Sequence, residues 1–212
     1  MNKLVRNDVS LLLPDQELLA QLTPFGSPSG EGNGDEHLVQ FYEDDSSLIK
    51  SVSQYIFEGL KQGEVCVSIA TRAHREAFVQ ALSVLGLDVV NNGYGHQYYQ
   101  LDASETLALL MDGETVDESR FNEIVVGLIT RASSNGRRVR AFGEMVSLLS
   151  ASGNFAGAVH LEELWNELRA RQSFALFCAY SLDLFNKQPG SSALLDVCGQ
   201  HSHVIPAESY NA

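Results

Sequence analysis

Two short stretches constrain this chain more than anything else in it. Val65 to Ala70 (VCVSIA) and Phe174 to Tyr180 (FALFCAY) are unbroken apolar runs of strand length. A strand that is apolar at every position must be covered on both faces, which is the situation of a central strand in a parallel sheet. The segments between and around them carry a helical period instead. Leu48, Ile49, Val52, Tyr55, Ile56 and Leu60 fall on one stripe, as do Phe121, Ile124, Val125, Leu128, Ile129 and Ala132. Phe78, Val79, Leu82 and Leu85 mark a further helix, and Leu161, Leu164, Trp165 and Leu168 another over Asn154 to Arg171. Shorter helices are expected around Leu107, Leu110 and Met111 and over Ser192 to Gly199. Strands are expected at His37 to Tyr42, Gln97 to Leu101, Arg138 to Phe142 and His203 to Ile205, with a weak one at Leu87 to Val90. Strands alternating with helices predict an α/β fold, a three-layer α-β-α sandwich about a mainly parallel central sheet.

Residues 1–36 read differently. Thr23 to Glu36 (TPFGSPSGEGNGDE) is rich in Gly, Pro and Ser and has no apolar period, so it is expected to be a linker behind a short N-terminal arm. The body is expected to run from 37 to 212.

Charge and composition exclude several classes. A net charge of −13 argues against nucleic acid as a partner, because phosphate binding needs clustered Lys and Arg. No apolar run approaches the roughly 18 residues needed to cross a bilayer, so no membrane partner is expected. The N-terminus has no secretory leader pattern. The three cysteines, Cys66, Cys178 and Cys198, are far apart in apolar surroundings, which suits reduced thiols and a cytoplasmic location.

The chemical motifs are sparse. A phosphate-binding loop needs glycines and a Gly-Lys-Ser/Thr after a strand. After Ala70 the chain instead reads Thr71-Arg72-Ala73-His74-Arg75-Glu76. No G-x-S-x-G is present, and Cys178 in mid-strand reads as a buried thiol rather than a nucleophile. Glu144, at the carboxyl end of a strand, sits where an acid or base could act, or where it could pair with Arg140. His201-Ser202-His203 is a weak metal pattern. The expectation is that His201 caps the preceding helix, with no metal and no cofactor bound. Ligands of open parallel sheets sit outside the carboxyl ends of strands, so Tyr42, Glu144 and Tyr180 are expected to border one pocket.

Taken in order, HLVQFYEDD, GLKQGE, VSIATRAHREAF, RRVRAFGEM, LEELWNEL, FALFCAY and HSHVIPAESY resemble the MEDS sensory domain of two-component signalling proteins, from His37 to Tyr210. The resemblance implies a RecA/KaiC-like fold lacking the phosphate-binding loop. It implies a sensory rather than enzymatic role, with small organic molecules as ligands and a signalling protein such as a histidine kinase as partner. It marks His37, Tyr42, Arg140, Glu144, Glu162, Cys178, Tyr180 and His201 as ligand or switch residues. Analogy with the ATPases admits a homodimer. Relatives often carry a Trp shortly after the Gly-Glu-Met, where this chain has Val146-Ser147-Leu148. The sequence ends at Ala212 without an output module, so the signal is expected to pass to another protein. The competing readings are a degenerate nucleotide-binding protein or enzyme using Glu144 and Arg140, and a protein-interaction module without a ligand.

Overall fold

The computed structural model of the chain describes residues 36–91, 93–185 and 190–207. The N-terminal arm and linker expected over 1–36 lie outside these residues, except for Glu36. The elements alternate as the hydrophobic pattern requires: β1 (His37–Tyr42), α1 (Asp45–Lys61), β2 (Val65–Ala70), α2 (Arg72–Val84), β3 (Tyr98–Asp102) and α3 (Ala103–Leu110). A two-residue-stranded hairpin follows, β4 (Met111–Asp112) and β5 (Thr115–Val116), then α4 (Glu118–Phe121), a π-helical turn (Asn122–Val126) and α5 (Gly127–Ser133). The second half is β6 (Val139–Gly143), α6 (Met145–Ala151), α7 (Phe155–Arg171), β7 (Ala175–Ser181), α8 (Gly190–Gly199) and β8 (His203–Ile205).

Six strands form one sheet in the order β3-β2-β6-β7-β1-β8, with every pair parallel. The two faces can be read off β2, whose side chains alternate. Val65, Val67 and Ile69 join the cluster packed under α3 to α8, while Cys66 and Ala70 join the cluster under α1 and α2. That division explains the unbroken apolar run: each face of the strand has its own core. Trp165, 1 % exposed, anchors the larger core from α7, edge-on to Phe121 at 5.4 Å and beside Phe174 at 6.0 Å. In the smaller core Phe78 and Phe177 each meet Phe142 edge-on.

Local chemistry sets the element ends. Asp44 caps α1, accepting from the backbone N–H of Ser46 and Ser47 at 2.9 and 3.2 Å. Asn154 caps α7 through Gly157 N–H at 2.9 Å. The segment 118–133 is one continuous helix with the π turn near its middle. Phe121, Val125, Leu128, Ile129 and Ala132 all remain buried across it.

Two expectations are corrected. Leu87 to Val90 is not a strand. Gly86, at φ +88°, ends α2, and the Asp88 carboxylate then accepts from the N–H groups of Val90 and Asn91, folding the segment into a turn. Met111 does not belong to the helix before it but opens the β4–β5 hairpin, whose turn carries Gly113 at φ +63°. No helix among the described residues is long and apolar enough to cross a membrane.

Candidate functional site

The fold buries an unusual amount of ionisable chemistry, and it does so in three separate places. The first lies between the sheet and α7. His37 opens β1 and points to the same face as Val39 and Phe41. Cys178 and Tyr180 occupy alternate positions of the neighbouring β7, and Glu162 comes down from the middle of α7. His201 arrives from the turn after α8. The side chains of His37, Glu162 and His201 are fully buried.

Glu162 is the hub. Its Oε2 lies 3.3 Å from His37 Nε2 and 3.4 Å from Cys178 Sγ, and its Oε1 lies 2.8 Å from Tyr180 Oη and 3.3 Å from His201 Nε2. Cys178 Sγ is also 3.5 Å from His37 Nε2. Burial alone would raise the carboxyl pKa, but His201 and His37 outweigh it and hold Glu162 well below the usual carboxylate range. Burial, and then the Glu162 charge, push the Cys178 thiol and the Tyr180 hydroxyl well above their usual values. Each imidazole is oriented from behind: His37 Nδ1 meets Asn166 Oδ1 at 2.9 Å, and His201 Nδ1 meets the Val197 carbonyl at 2.7 Å. One ligand atom from each of His37, Glu162, Cys178 and His201 falls within a 4.8 Å sphere of separations, close enough to hold a metal ion.

The second place lies at the carboxyl ends of β2 and β6. β2 runs on into α2 on one face of the sheet and β6 into α6 on the other, the arrangement that opens a ligand crevice in parallel sheets. Glu144 follows β6 and accepts from Thr71 N–H at 2.7 Å and from His74 Nδ1 at 2.6 Å. His74, in the first turn of α2, places Nε2 3.6 Å from Asp45 at the start of α1. Burial opposes protonation of His74, but the hydrogen bonds to Asp45 and Glu144 prevail and raise its pKa from 6.5 to about 9. Tyr42 closes the cluster at the end of β1. Its hydroxyl is pushed above the usual range by burial and by the charges of Glu144 and Asp45.

The third place surrounds Arg140, on the α1 side of the sheet. Its guanidinium pairs with Glu64, lies 3.9 Å from Glu58, and stacks over the Tyr55 ring at 5.1 Å. Burial opposes its charge, but Glu64 raises its pKa.

Of the eight residues marked from the sequence, His37, Glu162, Cys178, Tyr180 and His201 therefore assemble into one cluster. Tyr42 and Glu144 form another, and Arg140 stands apart. Glu144 pairs with His74 and not with Arg140, because four residues of extended chain separate them by about 13 Å. Tyr42, Glu144 and Tyr180 do not border one pocket, since Tyr42 packs under α1 and α2 and Tyr180 under α7, on opposite faces of the sheet. His201 both meets the last turn of α8 and reaches Glu162, while His203 is exposed beside Ser202. Cys178 is buried in the larger core, and within it also meets the ionisable His37 and Glu162.

Sequence reasoning missed His74, Asp45 and Asn166. His74 had a usable signal, four residues past a strand end in the first turn of a helix. Asn166 had one too, four residues after Glu162 and so on the same helical face.

No curated protein matches the chain. The model of the MEDS family, the methanogen/methylotroph, DcmR sensory domain, matches residues 36–202, which span every element from β1 to α8. The chain belongs to the MEDS family of sensory domains.

Proposed function

We propose that this protein is a non-catalytic sensory domain that binds a small organic molecule and passes the change to a separate signalling protein, such as a histidine kinase. Family membership supports the sensory role. The observation that carries the ligand class is the charge of the carboxyl-end crevice. Where a nucleotide-binding sheet presents glycines and a lysine, this one presents Asp45 and Glu144 around a single His74. Two carboxylates repel a triphosphate and favour a ligand with hydrogen-bond donors or a positive charge, such as an amine or an alcohol. The arginines in reach are each paired with a carboxylate: Arg72 with Glu76 at 2.9 Å, Arg75 with Asp102 at 2.8 Å, and Arg140, about 13 Å away along β6, with Glu64.

The test is a thermal-shift panel of short amines, alcohols and carboxylic acids beside ATP with Mg²⁺. Amines or alcohols are expected to raise the melting temperature, and Asp45→Asn is expected to abolish the rise. Stabilisation by ATP with Mg²⁺, or silence across the organic panel, overturns the assignment.

A further inference from the structure

The buried cluster under α7 is not part of that crevice, and its hydrogen bonds leave a specific electronic problem. Asn166 donates through Nδ2 to the backbone carbonyl and the side-chain oxygen of Gln200, at 2.9 and 3.1 Å, while its Oδ1 accepts from Arg169. The amide is thereby fixed with Oδ1 toward His37, so His37 Nδ1 carries the proton. The Val197 carbonyl can only accept, so His201 Nδ1 carries a proton as well. Each ring therefore turns Nε2 inward, toward the Glu162 carboxylate 3.3 Å away. His201 Nε2 is buried and makes no hydrogen bond among the described residues, although Glu162 Oε1 is that near. The two rings sit with their centroids 4.0 Å apart beside that one carboxylate.

One divalent cation resolves all of these contacts together. We propose that His37 Nε2, Glu162, Cys178 Sγ and His201 Nε2 form a four-coordinate site for a divalent transition metal ion, with Zn²⁺ as the first candidate. Bond lengths of about 2.0–2.2 Å to N and O and about 2.3 Å to S, spread tetrahedrally, put N and O about 3.4 Å apart and N and S about 3.6 Å apart. Here His37 Nε2 is 3.3 Å from Glu162 Oε2 and 3.5 Å from Cys178 Sγ, and Cys178 Sγ is 3.4 Å from Oε2, close to those values, while His201 Nε2 is 3.3 Å from the other oxygen, Oε1, and the four donors all lie within 4.8 Å of one another. The donor set of two imidazoles, a thiolate and a carboxylate suits Zn²⁺ and Co²⁺. The outer partners are those a metal-bound histidine uses, an amide oxygen for His37 and a backbone carbonyl for His201. Tyr180 Oη holds the carboxylate from the other side. All four positions are taken by protein, so the site is closed rather than hydrolytic. Its ligands come from β1, α7, β7 and the turn before β8, so the ion ties the last strand to the centre of the sheet.

The test uses the full, tag-free chain. Metal analysis after purification is expected to find about one equivalent of Zn²⁺. Chelator-treated protein titrated with Co²⁺ is expected to take up one equivalent, with the strong visible bands of a four-coordinate ion and a thiolate-to-cobalt charge-transfer band. Zn²⁺ is expected to displace it. Cys178→Ser removes the charge-transfer band, and Asn166→Ala, which releases His37, weakens binding about 10- to 100-fold. Failure of the folded wild-type chain to bind Co²⁺ at one equivalent overturns the proposal. So does a charge-transfer band that survives Cys178→Ser. The wild-type titration decides the matter even if a variant does not fold.

Discussion

The His74–Glu144 pair makes the stability of this domain depend on pH in a calculable way. The folded-state pKa of His74, about 9, lies above its ordinary value of 6.5. At about 1.4 kcal/mol for each tenfold change in proton affinity, the protonated ring contributes about 3 kcal/mol. A raised folded-state pKa means that this contribution is fully present below about pH 6.5 and is lost as the pH rises through about 9. The groups facing the ring are Glu144, Asp45 and, beyond Glu144, Tyr42. Glu144→Gln leaves an acceptor for Thr71 N–H but strips His74 of its buried counter-charge. Asp45, 3.6 Å away with its side chain 42 % exposed, replaces at most about 1 kcal/mol of that. The variant is therefore expected to be about 2 kcal/mol less stable than wild type near pH 6, and the gap is expected to close to nearly zero near pH 9.5. Urea denaturation of both proteins across that range measures the gap, and every titration the two share cancels in the difference. A gap that stays constant with pH would show that His74 is not charged in the folded state, and the electrostatic account of the crevice would fail.

Four further substitutions probe the frame. Arg140→Met leaves the Glu64 carboxylate, 5 % exposed, with only Arg138 at 3.6 Å, and is expected to cost about 3 kcal/mol in urea titration. Adding Glu64→Leu is expected to recover most of that loss. Gly59→Ala would set a Cβ 2.8 Å from both Arg140 Cδ and Cys66 Sγ. The overpacking outweighs the gain of about 1 kcal/mol in helix propensity, so a net loss of about 1–2 kcal/mol is expected, read as a lower melting temperature. Trp165→Ala removes the anchor between Phe121 and Phe174 and is expected to cost about 3–5 kcal/mol by calorimetry or denaturant titration.

What could be read in advance follows from the range of the interactions involved. VCVSIA and FALFCAY announce buried parallel strands because each residue records its own face of the sheet. The stripe of α1 records its core in the same way. The site residues were recognisable as residue types, but their grouping was not. Glu162 and Tyr180 are 18 positions apart and meet only because α7 crosses back over β7. Arg140 and Glu144 look like neighbours in the sequence, yet the strand between them carries one to Glu64 and the other to His74. Leu87 to Val90 has the residues of a strand, but Gly86 and the Asp88 turn decide its path. The Asp112-Gly113 pair is the usual signal for a tight reversal, and it outranks the apolar Met111 beside it.

The π turn at Asn122–Val126 gives the helix 118–133 an uneven tolerance to changes in length. A π turn holds one residue more than the α-helical turn it replaces. Excising a single outward-facing residue there, such as Glu123, lets the segment close into plain α-helix while both flanks keep their phase. The same excision within α5 rotates everything beyond it by about 100° and swings Ala132 off the core. Homologues one residue shorter in this region are therefore expected to have their gap within 122–126.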